Sequence, residues 1–177
     1  AYTDMEGMMD LTEGVIKHCC KVLNNYRYTY RGFDIDLEPK FKRVHMVDLI
    51  KEVTNVNFWN VKSDDEAVAL AKAHDIHLEK HQLKYGHVIN AFFETYCEEK
   101  LIEPTFVWGH PIEISPLAKK DYSDTRFTKR FELFIGQKEF ANAFSELNDP
   151  IDQLERFEEQ LNEKSLGNEE ANEMDLD

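Results

Sequence analysis

Apolar residues along this chain change their spacing four times, and those switches limit the fold more than any single motif does. Val44, Val47, Ile50 and Val53 recur at three-residue steps, and Val88 or Ile89, Phe92 or Phe93, Tyr96 and Leu101 keep the helical period. Ser63 with Glu66 makes a capping box that opens a helix over 64–73. The stretch 41–102 therefore reads as helical, with no strand signal. On either side the period falls to two. Tyr26, Tyr28 and Tyr30 alternate, Arg31-Gly32 supplies a turn, and Phe33, Ile35 and Leu37 alternate again. Further on, 104–110, 113–115, 130–135 and 138–145 read as strands, the last two joined by a Gly136-Gln137 turn. Without a regular βαβ alternation, this order predicts an α+β domain on an antiparallel sheet, with a helical subdomain inserted between strands.

Helices frame the two ends. Thr3 and Glu6 form a capping-box pattern before a stripe of Met5, Met8 or Met9, Thr12, Val15 or Ile16, Cys19, and Val22 or Leu23, and Asn24-Asn25 stops it. Asp149-Pro150 opens the last helix, with Ile151, Leu154, Phe157 and Leu161 as its buried stripe. The acidic tail after Gly167 is expected to fray, and an Ala at position 1 with helix following at once reads as a trimmed start. Ten acidic residues in 151–177 face only Arg156 and Lys164, so this segment carries −8 of the net charge of −14. A basic nucleic-acid footprint is absent. No stretch approaches the roughly 18 apolar residues of a membrane helix. Cys19, Cys20 and Cys97 have no framework spacing, which points to a reducing, cytoplasmic setting.

The Gly136-Gln137 hairpin carries the chemistry. A two-residue loop pairs Ile135 with Lys138, Phe134 with Glu139 and Glu132 with Ala141, placing Glu132, Phe134, Glu139, Ala141 and Ala143 on one face. Two carboxylates beside small alanines suit Mg²⁺ with phosphate oxygens; a solvated sheet face is the other reading. Strict alternation sends Asn142 and Glu146 to the opposite face unless a bulge intervenes near 140–142. His74, His77, His81 and His87 have spacing that could suggest a metal, but without clustered carboxylates or cysteines they read as solvated histidines at helix ends. His110 reads as structural, and the aromatic run Tyr26, Tyr28, Tyr30, Phe33 as core packing.

HPIEISPLAKK (110–120), RFTKRFELFI (126–135) and ANAFSELNDPIDQLERFEEQ (141–160) closely resemble bacterial-type lysyl-tRNA synthetases of class II. So do AYTDMEGMMDLTE at the start, VHMVD (44–48) and GNEEANEMD near the end, so the resemblance runs through all 177 residues. It implies part of the class II antiparallel sheet with flanking helices. Segment 1–44 would be catalytic-domain helix and hairpin, 45–102 the family's helical insertion near the tRNA acceptor end, and 103–177 catalytic-domain strands, helix and acidic tail. In that family Glu132 and Glu139 match the carboxylates that hold Mg²⁺ and ATP. Asn142 matches a residue of the lysine site, and Glu146 the glutamate that accepts the substrate's ε-ammonium. Glu113 is expected nearby without an assigned role, and no side chain is expected to act as a nucleophile. The implied activity is a ligase reaction: lysine and ATP give lysyl-adenylate, and the lysyl group passes to tRNA(Lys), in a cytoplasmic homodimer. The resemblance further implies that the chain lies between the second and third class II signature motifs, whose arginines contact the phosphates. On that reading the chain holds half a pocket and is inactive alone. Two other readings are a lysyltransferase paralogue acting on a protein, and a non-catalytic interaction module.

Overall fold

The computed structural model describes residues 3–168, so the end of the acidic tail lies outside the described residues. Helix α1 (Met5–Leu23) is capped by Asp4, whose side chain accepts from the Gly7 amide, rather than by Thr3. Asn24 ends it in the left-handed conformation at φ 50°. Its buried line is Met9, Glu13 and Cys20, while Val15, Val22, Leu23 and Cys19 are exposed, one step round from the expected stripe. The reason is a polar anchor. Glu13 Oε1 accepts from the Phe41 amide at 3.2 Å and pairs with Lys17 at 2.7 Å, which turns that side of the helix inward.

Strands β1 (Arg27–Tyr30) and β2 (Phe33–Asp36) form an antiparallel hairpin across Arg31 and Gly32, both at positive φ. Its tyrosines are not core residues: Tyr26 and Tyr28 are half-buried and Tyr30 is exposed. A two-stranded ribbon has only one covered face, and here Ile35 takes it.

Four strands make the main sheet in the order β3-β4-β5-β6: β3 (Lys42–His45), β4 (Thr105–Trp108), β5 (Arg130–Ile135) and β6 (Lys138–Phe144). The α+β expectation holds, with one parallel pair, β3 with β4, among antiparallel ones. Strand β3 corrects the helical reading of 41–102. Its four residues, two of them basic and exposed or half-exposed, are too short to show alternation, and it is pairing with β4 that makes them a strand. The expected strand at 113–115 is a 3₁₀ turn, Ile112–Ile114: pairing runs through the Pro111–Phe127 bridge to the Ile112 amide, which donates to the Arg126 carbonyl, and the Ser115 amide then closes back onto the Ile112 carbonyl at 3.1 Å.

Helices α2 (Met46–Thr54), α3 (Asp64–Ala73) and α4 (Tyr85–Tyr96) pack together on one face of this sheet with Val44, Val107, Phe127 and Phe134. Ser63 caps α3 through the Glu66 amide as expected, while the Glu66 carboxylate takes the Lys62 amide at 2.8 Å. The opposite face, Phe106, Phe131, Leu133 and Ile135, packs with Met9, Ile35 and Phe41. Helix α5 (Pro150–Ser165) starts at Asp149, whose carboxylate accepts from Ile151 and Asp152. Its apolar stripe is not buried: Ile151, Leu154 and Leu161 are exposed, and Arg156, Gln160 and Glu163 are buried instead. This helix lies over polar loop backbone and a cleft rather than over an apolar core. Among the described residues no helix is long and apolar enough to cross a membrane.

Candidate active site

Gly136 (φ 57°) and Gln137 (φ 64°) both take the left-handed conformation that a tight hairpin turn needs. From there Ile135 pairs with Lys138 and Phe134 with Glu139, as the two-residue loop predicts. The register then shifts. Leu133 faces Ala141 and Glu132 faces Asn142, leaving Phe140 as the extra residue of a β-bulge. The bulge reverses the faces expected beyond it. Ala141 and Ala143 turn toward Phe131 and Leu133 and pack into the α1-side core, so they do not floor the site. Asn142 turns to the face of Glu132 instead: its Nδ2 donates to Glu132 Oε1 at 3.4 Å. Phe140 rests edge-on against the Tyr30 ring, 5.7 Å between centroids, so the hairpin β1–β2 supports the bulge from outside.

Arg130, Glu132 and Phe134 line a cleft of about 970 Å³ together with Glu139. The wall opposite the sheet comes from α4 and the turn before it, and the far end from α5. Seven glutamates line the cleft against Arg130, its sole arginine or lysine among the described residues. Glu132 is 8% exposed; burial pushes its carboxyl above the usual range, Glu139 adds to the rise, and Arg130 opposes it. Arg130 Nη2 donates to Glu132 Oε1, while Glu132 Oε2 lies 4.0 Å from His110 Nε2. Glu139 is exposed and has no hydrogen bond or ion pair among the described residues. Glu146 lies beyond β6 in a single bridge with Ala118, exposed and outside the cleft lining. Thus Glu132 and Glu139 line the cleft, Asn142 meets Glu132 from the exposed side without lining it, and Glu146 stays further along the strand direction.

Several residues of the cleft were not singled out as site residues. His87, in the first turn of α4, is buried with its Nε2 2.8 Å from Glu163 Oε1 on α5. Burial alone would raise the Glu163 carboxyl, but His87, Asn168 and Lys84 together outweigh it and hold it below its ordinary value. His74 is likewise packed, its ring 5.1 Å from Phe92. The reading of these histidines as solvated therefore fails for His74, His81 and His87, and holds for exposed His77. Partners so far apart in sequence leave no local signal of their pairing. His110 is structural in the expected way: it is 1% exposed, its ring meets the Val107 carbonyl, and burial pushes its pKa down to about 3. Glu113 accepts from the Gly86 amide at 3.2 Å through Oε1, whereas Oε2 is buried without a hydrogen bond, and burial raises its carboxyl. A side chain at Gly86 would strike that carboxylate, so glycine here is a condition of the α4–Glu113 contact.

The family model "tRNA synthetases class II (D, K and N)" matches residues 1–176. Curated relatives include a lysine–tRNA ligase of Ureaplasma parvum serovar 3, 59% identical over the whole of this chain, and one of Lactococcus lactis subsp. cremoris, 61% identical over the same extent. A lysine–tRNA ligase of Malacoplasma penetrans is 60% identical. In each case the chain spans 36% of the relative's length.

Proposed function

The chain belongs to the class II tRNA synthetases of the D, K and N type, and from that we propose that the protein it represents activates lysine with ATP and charges tRNA(Lys). The observation that carries this reading is the Phe140 bulge. It sets Glu132, Glu139 and Asn142 on one face of a rigid hairpin at the edge of an acid-lined cleft. The lysine carboxylate attacks the α-phosphorus of ATP, the bond to the bridging oxygen breaks, and pyrophosphate leaves with that electron pair. The product is lysyl-adenylate; a hydroxyl of the tRNA's terminal ribose then attacks its carbonyl carbon, the acyl–phosphate bond breaks, and AMP leaves with that electron pair. Catalysis of this kind is positioning and charge neutralisation rather than protein nucleophilicity.

The residues present fit a divalent cation. Glu139 is uncommitted among the described residues, Glu132 keeps Oε2 outside the grip of Arg130, and the Glu139 charge disfavours that of Glu132. Mg²⁺ held there would neutralise phosphate charge. Asn142 is assigned to the amino acid, and Glu146 to its ε-ammonium by a charge-assisted contact that rejects neutral side chains. The stretch 45–102 is assigned as a helical insertion that approaches the tRNA acceptor end, and the protein as a cytoplasmic homodimer.

Lysine-dependent ATP–pyrophosphate exchange on the full-length protein, run against all twenty amino acids with this chain alongside, is the test. Exchange with lysine alone, silence from the chain by itself, and a loss of about 100-fold in Glu139→Gln are expected. No exchange with any amino acid, or an unaltered Glu139→Gln, overturns the reading.

A further inference from the structure

Arg130 is the point at which the cleft's two groups of residues meet. It opens β5 on the same face as Glu132 and is largely buried, with 18% of its side chain exposed. Four of its donor contacts run to three different parts of the fold. Nη1 donates to the Ile114 carbonyl at 2.9 Å and to Ser115 Oγ at 3.0 Å; Nε donates to Asn142 Oδ1 at 3.2 Å; Nη2 donates to Glu132 Oε1. The 114–118 segment is itself pinned from behind, because buried Arg156 on α5 donates to the carbonyls of Ser115 at 3.0 Å and Ala118 at 2.7 Å. The guanidinium is therefore fixed at one edge by a loop that two arginines hold, and presents its remaining donors to the site.

Two consequences follow from chemistry alone. A guanidinium has no acceptor, so the Asn142 atom that meets Nε must be the amide oxygen, and the amino group is left to donate, one of its hydrogens toward Glu132 Oε1 at 3.4 Å. With its oxygen held toward Nε and one amino hydrogen on Glu132, the asparagine keeps its second amino hydrogen as the donor it turns to a substrate. That suits the carboxylate of an amino acid and not its ammonium. On Glu132, Nη2 takes Oε1 and leaves Oε2 for another ligand. Resting on the lysine-activation reading, we propose that Arg130 is a positioning residue that fixes both the free oxygen of Glu132 and the donor orientation of Asn142, so that the cation and amino-acid subsites are set by one side chain.

Lysine at this position would keep a positive charge beside Glu132 but could not reproduce the planar fork that reaches Asn142 as well. The two subsites should separate in the variants. In the full-length protein, with lysine and Mg²⁺ varied independently in the exchange assay, Arg130→Gln is expected to raise both the lysine KM and the Mg²⁺ half-saturation by about tenfold or more, and to weaken lysine binding, read by calorimetry without ATP or Mg²⁺, by about the same factor. Arg130→Lys should raise the lysine KM while leaving the Mg²⁺ requirement close to that of the unaltered protein. In an Asn142→Ala background, Arg130→Lys should add nothing further to the lysine KM, because the route through Asn142 is already gone. A fall in kcat with both saturation constants unchanged overturns the proposal, as does full additivity with Asn142→Ala. If Arg130→Gln does not fold, Arg130→Lys and the double variant decide the matter. Absence of lysine-dependent exchange in the unaltered protein instead overturns the functional reading beneath it.

Discussion

His45 occupies an unusual place for a titratable side chain. Its ring lies within 4.8 Å of the rings of Trp59, Trp108 and Phe127, and its Nδ1 accepts from the Val47 amide to cap α2. The cap needs an unprotonated nitrogen, and burial pushes the pKa from 6.5 down to about 4. Above 6.5 neither folded nor unfolded chains bind a proton at this ring, and it adds no pH dependence. Between 6.5 and about 4 only the unfolded chain does, so stability is lost as pH falls through that window, by up to about 1.4 kcal/mol per pH unit. Asn also caps helices well. His45→Asn should therefore lower stability at pH 7 by lost aromatic packing yet show a flatter dependence between pH 6.5 and 5. Urea midpoints of both proteins at the two pH values check this; parallel curves would mean that the ring is free to protonate in the fold.

At the scale of elements, the β5–β6 hairpin shows what a sequence can and cannot carry. Gly136-Gln137 between two alternating runs was enough to define the turn and the first two pairs, because those depend on neighbours alone. The Phe140 bulge was not legible: alternation through Glu139, Phe140, Ala141 and Asn142 is compatible with either register. The choice is made by a core that accepts Ala141 and Ala143, and by Tyr30 from another hairpin. Helix α5 fails in the opposite sense. Its leucines suggest an apolar footing, but the backbone carbonyls of 115 and 118 and His87 recruit its polar side instead. The turn itself is testable. At Gly136 a Cβ would lie 2.7 Å from Tyr30 Cδ1, on a backbone at φ 57°. Gly136→Ala should cost about 1–3 kcal/mol, read as a drop in melting temperature; an unchanged melt would show that Tyr30 yields freely.

For the whole molecule, the two cores divide the labour. One, under α1, fixes the back of the sheet, and the other carries the helices that wall the cleft. The cleft's carboxylates then set its electrostatics. Seven glutamates against one arginine repel a free nucleotide triphosphate and draw cations. In the full-length protein, removal of Mg²⁺ with a chelator should weaken ATP binding by about tenfold or more, with a much smaller effect on adenosine. Calorimetric titration of each with and without the chelator distinguishes these cases. Equal weakening would place the dependence elsewhere than in phosphate charge.

The chain leaves the sheet at His45 and returns at Thr105 on the adjacent, parallel strand. A crossover between parallel neighbours needs only about a dozen residues, so most of 46–104 is surplus to the connection. Such surplus is ordinarily free to drift in length. Here it has a use, because His87, Asn90, Phe93 and Glu94 of this excursion form part of the cleft's wall. Grafting a shorter connector in its place would leave the strands joined and the pocket open on one side.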